Sequence, residues 1–207
     1  MASTASRTVF VTGANKGIGL AVVRRCLLHA DNVRCVLACR SKERGEAARK
    51  SLISENASWG PRTFVLEMDQ GSDTSVKSAE ASWQAHGFAN SDGDTTLYAI
   101  VNNAGIAIGS VADVLNVNVR GVKRVCDAFI KHVNKEDGRV TMMSSGAGPG
   151  SVTKCSEERQ RFFVRDDVEW KDIQGVMEEA EGLEKEGRKL EDVGLSGLIA
   201  GAYGLSK

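Results

Sequence analysis

Neither sign of charge prevails in this chain of 207 residues: lysine and arginine number 27, aspartate and glutamate 27. No global field therefore draws it to nucleic acid or to an anionic membrane. It lacks any apolar stretch approaching the roughly 20 residues that a membrane-spanning helix needs. The opening MASTASRTVF has no apolar region of the signal-peptide kind and runs into a strand-like segment. The five cysteines show neither CxxC nor paired metal-ligand spacing. Cys26, Cys35, Cys39 and Cys126 lie in apolar segments and read as buried thiols of a reducing compartment, with Cys155 left open as an exposed one. Repeats and low-complexity tracts are also missing. Trp59, Trp83 and Trp170 read as packing residues, and His29, His86 and His132 sit in no catalytic pattern. The expectation is a cytoplasmic globular protein with no metal, nucleic-acid or membrane partner.

What is present is an alternation of short β-rich runs with longer helical ones. Residues 8–12 (TVFVT), 33–40 (VRCVLACR), 62–69 (RTFVLEMD), 97–103 (LYAIVNN) and 138–145 (GRVTMMSS) read as strands, apolar and short enough to be buried in a parallel sheet. Between them, residues 18–30, 41–55, 74–86 and 122–133 carry helical spacing. Strand–helix alternation with short links implies right-handed crossovers and helices on both faces. The fold class predicted is α/β, a doubly wound, Rossmann-like parallel sheet. After Ser145 the rhythm breaks. GAGPG reads as a turn, and residues 156–192 are acidic, charged and helix-compatible. Their apolar residues, among them Phe162, Phe163, Ile173, Val176 and Met177, can form one helical stripe. The whole, 1–207, is read as one domain with a helical insert at about 151–195.

The sharpest local signal is TGANKGIG, residues 12–19, where the first strand hands over to the first helix. Gly13 permits a tight turn, Gly17 lets backbone approach a pyrophosphate, and Gly19 allows close helix–strand packing. The helix start, at Ile18, then offers free N–H groups and a positive dipole end to phosphate. The spacing is GxxxGxG, with Asn15 and Lys16 in the wider gap. A dinucleotide site that takes NAD places an acid at the end of the second strand to bind ribose hydroxyls. Here that position reads ACRSK, with Arg40, Ser41 and Lys42 and no acid. Together with Lys16 this is a cationic pocket suited to a 2′-phosphate, and NADP(H) is the cofactor predicted.

TGANKGIG at 12–19, Asp69 after the third strand, NNAG at 102–105, Asn118 in NVRG, Ser145 in MMSSGAG and Tyr203–Lys207 in YGLSK resemble, in order, the motifs of the short-chain dehydrogenases/reductases. The stretches TGANKGIGLAVVR, ACRSKERG and NNAGIA are similar to the monomeric carbonyl reductases within that family, which also carry a helical insert between serine and tyrosine. The resemblance implies NADPH-dependent reduction of a small-molecule carbonyl substrate, a ketone, aldehyde or quinone. It implies that Tyr203 donates the proton. A free phenol, with a pKa near ~10, is poorly matched to that task at neutral pH, and a lysine one turn on supplies positive charge that favours the phenolate. Lys207 would also hold the nicotinamide ribose, Ser145 would orient the substrate carbonyl, and Asn118 would kink its helix and complete a proton relay. Asp69 would contact adenine, and the Asn103–Ala104–Gly105 backbone would pass close to the cofactor. The insert goes with a monomeric state.

Two departures from the family pattern shape the expectation. Only IAIGSVADVLNV, residues 106–117, separates the NNAG turn from Asn118, which implies a helix shorter by a turn or more. The chain also stops at Lys207 where the family continues, and on that ground it is read as truncated at its C-terminus, with weak or absent turnover expected. A catalytically silent nucleotide-binding relative, or an interaction module presenting the acidic insert, stays open as the alternative.

Overall fold

The computed structural model describes residues 6–85, 96–198 and 201–207. His86 and the Ile199–Ala200 step of the closing glycine-rich segment lie outside them. The chain divides into two compact units, one formed by 1–104 and 121–143, the other by 105–120 and 144–207.

In the first unit, strands β1 (Arg7–Thr12), β2 (Val33–Cys39), β3 (Thr63–Glu67), β4 (Leu97–Asn102) and β5 (Arg139–Met142) form a sheet in the order β3-β2-β1-β4-β5. Every pairing is parallel; Val9, Phe10 and Val11 stand opposite Cys35, Val36 and Leu37 on one side and Ala99, Ile100 and Val101 on the other. Because side chains alternate across a strand, each run feeds two cores. Val9, Val11, Cys35, Leu37, Ala99 and Val101 pack with Val23 and Leu27 of helix α1 (Gly17–His29) and with Ala48 and Leu52 of α2 (Lys42–Glu55). Phe10, Val36, Ala38, Leu66 and Ile100 pack with Val76, Ala79 and Trp83 of α3 (Asp73–Ala85). Val125 and Phe129, later in the chain, complete that second face.

This is why the central strands read as unbroken apolar runs rather than as alternating ones: both faces are covered. On the second face the rings of Phe10 and Phe129 lie 4.6 Å apart, with Trp83 edge-on to both. Such contacts add about 0.5–1.5 kcal/mol per pair beyond the area they bury. Arg62 ties the layer ends together. Its guanidinium donates to the carbonyls of Leu27, Ala30 and Val33, satisfying the end of α1. The doubly wound parallel sheet is therefore as expected, with strand ends shifted by a residue or a few.

The second unit begins with α4 (Val111–Leu115), followed by a π-helical turn at Asn116–Arg120. The shortened connection leaves α4 only five residues long, and Ser110 with Asp113 closes a reciprocal capping box at its start. Helix α5 (Gly121–Phe129) lies back in the first unit, where Val125 and Phe129 belong to the second face; it ends sooner than the run 122–133 predicts, giving way to a 3₁₀ turn at Ile130–His132.

GAGPG is not a simple turn. It opens α6 (Ala147–Val152), because Pro149 falls in the first helical turn, where no N–H is needed for an intrahelical bond. The acidic segment folds as α7 (Glu157–Val164) and α8 (Trp170–Lys185). Its stripe is mostly inward: Phe162, Phe163, Ile173, Val176 and Met177 line an apolar cavity of about 310 Å³, while Val164 stays exposed. The charges are partly paired, Arg120 with Glu181 at 2.5 Å, Arg159 with Glu179, and Arg165 with Asp172 at 2.5 Å. Cys155, left open as an exposed thiol, is buried and donates to the carbonyl of Ser151. The short α9 (Ala202–Leu205) follows.

Candidate active site

In the first unit the loop from β1 to α1 takes the backbone shape that its glycines allow. Gly13 and Gly17 have φ of +66° and +55°, a region costly for residues with a Cβ. A Cβ on Gly19 would lie 2.6 Å from both the Gly13 carbonyl oxygen and Asn103 Nδ2, so only glycine fits the contact. Helix α1 starts with Lys16 as an uncapped N-cap and without an acid in its first turn. Lys16, Gly17 and Ile18 are exposed and Asn15 is half-buried. A Cβ at Gly17 would meet nothing within 4 Å. These are the properties of an anion cradle: orphan N–H groups, a positive dipole end and open space.

At the end of β2, Arg40 and Lys42 are exposed, and Ser41 caps α2 by accepting from Arg44 N. Asp69 follows β3, where its carboxylate accepts from Gly71 N and its own N–H donates to Ser75 Oγ. The NNAG turn is fastened to β1 by a residue the motif reading passed over. Thr12 Oγ1 accepts from both Asn103 N and Ala104 N, and Thr12 O accepts from Asn103 Nδ2. Gln70 Nε2 adds a bond to the Ala104 carbonyl. A threonine at the head of TGANKGIG was the available signal for Thr12. Nothing in the sequence singles out Gln70.

In the second unit Asn118 sits within the π turn and is only 6% exposed. Its Oδ1 accepts from Ile106 N at 2.8 Å, and its Nδ2 donates to Ile106 O at 2.8 Å and to Ser206 Oγ at 2.9 Å. Ser206 in turn donates to the Tyr203 carbonyl. The Lys207 ammonium lies 5.4 Å from the centre of the Tyr203 ring. A Cβ on Gly105 would be 3.1 Å from Asn118 Oδ1 and 3.6 Å from Lys207 Nζ, so both side chains lie beside the Gly105 backbone. Asn118, Gly105, Tyr203 and Lys207 are thus gathered despite the short connection. The π turn widens the helix by one residue locally, which is how α4 stays short while Asn118 still faces Ile106.

Ser145 holds its own helix start: its hydroxyl accepts from Ala147 N and its carbonyl from Gly148 N. Its neighbour Ser144 instead donates to the Lys207 backbone carbonyl at 3.0 Å. Gly148 completes this anchoring, since a Cβ there would fall 2.6 Å from the Lys207 carbonyl carbon and oxygen. Ser206, Ser144 and Gly148 carry no sequence mark of these roles; each becomes visible only when chain segments distant in sequence meet.

A sequence model described as short chain dehydrogenase matches residues 7–157. Carbonyl reductase (NADPH) 1 of Homo sapiens is 31% identical over 216 aligned positions, covering 99% of this chain and 71% of that protein. Carbonyl reductase (NADPH) 3 of Rattus norvegicus is 33% identical over 217 positions, with 99% and 71% covered. Among solved structures, menthone neomenthol reductase of Mentha piperita superposes with a TM-score of 0.82 at 22% identity, covering 98% of this chain and 81% of that one. Salutaridine reductase of Papaver somniferum gives 0.76 at 22%, with 97% and 78% covered. Both structures share the fold. By its glycine loop, its parallel sheet and the family match over most of its length, the chain belongs to the short-chain dehydrogenase family of oxidoreductases.

Proposed function

We propose that this chain is an NADPH-dependent carbonyl reductase, converting ketones, aldehydes or quinones to alcohols. The observation that carries the reading is that Asn118 and Lys207 lie beside the Gly105 backbone while the Lys207 ammonium stands 5.4 Å from the centre of the Tyr203 ring. The relatives that bear the name carbonyl reductase (NADPH) support it.

The first unit's residues fit the cofactor. The uncapped start of α1 at Lys16–Ile18 and the open space at Gly17 suit a pyrophosphate, and Arg40 with Lys42 suits a 2′-phosphate. Asp69 and the Asn103–Ala104 backbone, held by Thr12, would border the adenine and nicotinamide ends. Bound NADPH supplies the hydride.

The second unit supplies the proton and the orientation. Tyr203 O–H donates to the substrate oxygen as it gains charge, with the Lys207 ammonium beside the ring stabilising the phenolate that remains. Ser145 Oγ accepts from Ala147 N and keeps its own O–H to donate to the carbonyl oxygen. Asn118 positions the pair by clamping Ile106 and Ser206, one residue from Gly105 and one from Lys207. We read the protein as a monomer of the cytoplasm acting on a small molecule. The test is consumption of NADPH with a quinone or aldehyde, compared with NADH and with Tyr203→Phe. Consumption that is equal with both nucleotides and indifferent to Tyr203 would overturn the reading.

A further inference from the structure

Away from the residues used above, one pair of nucleophilic side chains faces another across two elements of the first unit. Cys26 lies on α1 and Cys35 on β2, and both belong to the same apolar cluster with Val23 and Leu27. Cys35 is fully buried, and its Sγ points at the Val23 carbonyl, 3.9 Å away. Val23 precedes Cys26 by three residues, one helical turn, so Cys35 is aimed at the turn of α1 that carries Cys26. Cys26 and Cys35 lie close enough that each shifts the titration of the other. Cys26 is half-buried, so it meets solvent on one side and Cys35 on the other.

We propose that Cys26 and Cys35 form a redox-active dithiol, in which a peroxide oxidises Cys26 and Cys35 resolves it by closing a disulfide between α1 and β2.

The step balances. The Cys26 thiolate attacks one peroxide oxygen, the O–O bond breaks and a sulfenic acid forms; the expelled hydroxide takes up the proton that Cys26 had released to solvent, giving water. Cys35 Sγ then attacks the Cys26 sulfur, the S–S bond forms, and the S–O bond breaks. The departing hydroxide takes the Cys35 proton as a second water. Two thiols lose two electrons and the peroxide gains them.

The environment assigns the two roles. The neighbouring Cys35 lowers the Cys26 thiol, which favours thiolate, the reactive form, on the side that meets solvent. The same contact together with burial raises Cys35, which suits the partner that waits inside. The other cysteines lack this arrangement. Cys39 is pushed up to about 11 by burial and donates to the Leu37 carbonyl. Burial also raises Cys126 and Cys155.

The test uses the full chain treated with hydrogen peroxide, alkylated, cleaved at arginine and lysine, and mapped by mass spectrometry without reduction. Cleavage after Arg25, Arg34 and Arg40 separates Cys26 in 26–34 from Cys35 in 35–40. The expected product is a linked pair of these peptides, two hydrogens lighter than their sum, that reductant dissolves. Fragmentation should place the link on Cys35 rather than Cys39, and Cys39→Ser should retain it. In Cys35→Ala, Cys26 should stop at the sulfenic acid and be captured by dimedone. Wild-type protein in which Cys26 proceeds to sulfinic acid or is alkylated alone, or in which the link falls on Cys39, overturns the proposal. Should Cys35→Ala fail to fold, the wild-type and Cys39→Ser maps decide it.

Discussion

Asn118 grips Ile106 at both ends of its backbone: Oδ1 accepts the N–H and Nδ2 donates to the carbonyl, each at 2.8 Å. A side-chain amide used in this way stands in for a neighbouring strand. It fixes the turn that follows NNAG and, through Ser206, the segment that carries Tyr203 and Lys207.

Asn118→Ala should therefore loosen structure as well as chemistry. It leaves two partly buried backbone groups without partners, a cost of about 2 kcal/mol in total. For a chain of this size that corresponds to a fall of roughly 4–8 °C in Tm. Calorimetry giving a shift under about 1 °C would show that the Ile106 clamp contributes nothing.

Glycine replacements should split sharply by position. Gly19→Ala places a Cβ 2.6 Å from the Gly13 carbonyl oxygen, so the loop itself must move. NADPH affinity measured by titration calorimetry should drop at least ~10-fold, equivalent to about 1.4 kcal/mol. Gly175→Ala, within α8 and with nothing within 4 Å, should instead stabilise the protein by up to about 1 kcal/mol. The reverse order of effects would refute the packing account of the loop.

Nucleotide choice should turn on Arg40. Arg40→Asp exchanges a cation for an acid at the end of β2, where a ribose 2′-substituent is expected. NADPH binding should weaken at least ~10-fold more than NADH binding. Equal weakening of the two would remove Arg40 from the 2′-phosphate site.

Glu80 offers a pH signature remote from the proposed site. Its hydrogen bond to Lys131, at 2.5 Å, and the nearby His132 hold its carboxyl below the usual carboxylate range. A lowered folded value means stabilisation that is present above the unfolded value, near ~4.3, and lost as pH falls through the folded one. Urea midpoints should place Glu80→Gln below the wild type at pH 7, with the gap closing in acid. A gap that persists at pH 3 would mean that the carboxylate charge is not its source.

The sheet was legible because its physics is local. Runs such as Thr8–Thr12 and Val33–Cys39 must be buried on both faces, and only a parallel sheet between helices provides that. Gly13 and Gly19 announced themselves because backbone shape and close contact leave no other residue. The helix start at Ala147 was missed because Pro149 reads as a breaker until its place in the first turn is known. Ser206, Ser144 and Gly148 were silent for a different reason. Their partners are Asn118 and Lys207, and no spacing along the chain encodes those meetings. The acidic segment showed its stripe by periodicity. The cavity that the stripe lines with Leu115, Val119 and Leu205 required the three-dimensional arrangement.

The central claim is that Tyr203 protonates the substrate oxygen while NADPH supplies hydride. The direct measurement is the rate of NADPH consumption with a quinone, wild type beside Tyr203→Phe, at saturating nucleotide. The account predicts turnover, even if slow, that falls by about 10²–10⁴ in the variant while NADPH affinity is unchanged. A variant as fast as the wild type, or a wild type that binds NADPH and consumes none, would contradict it.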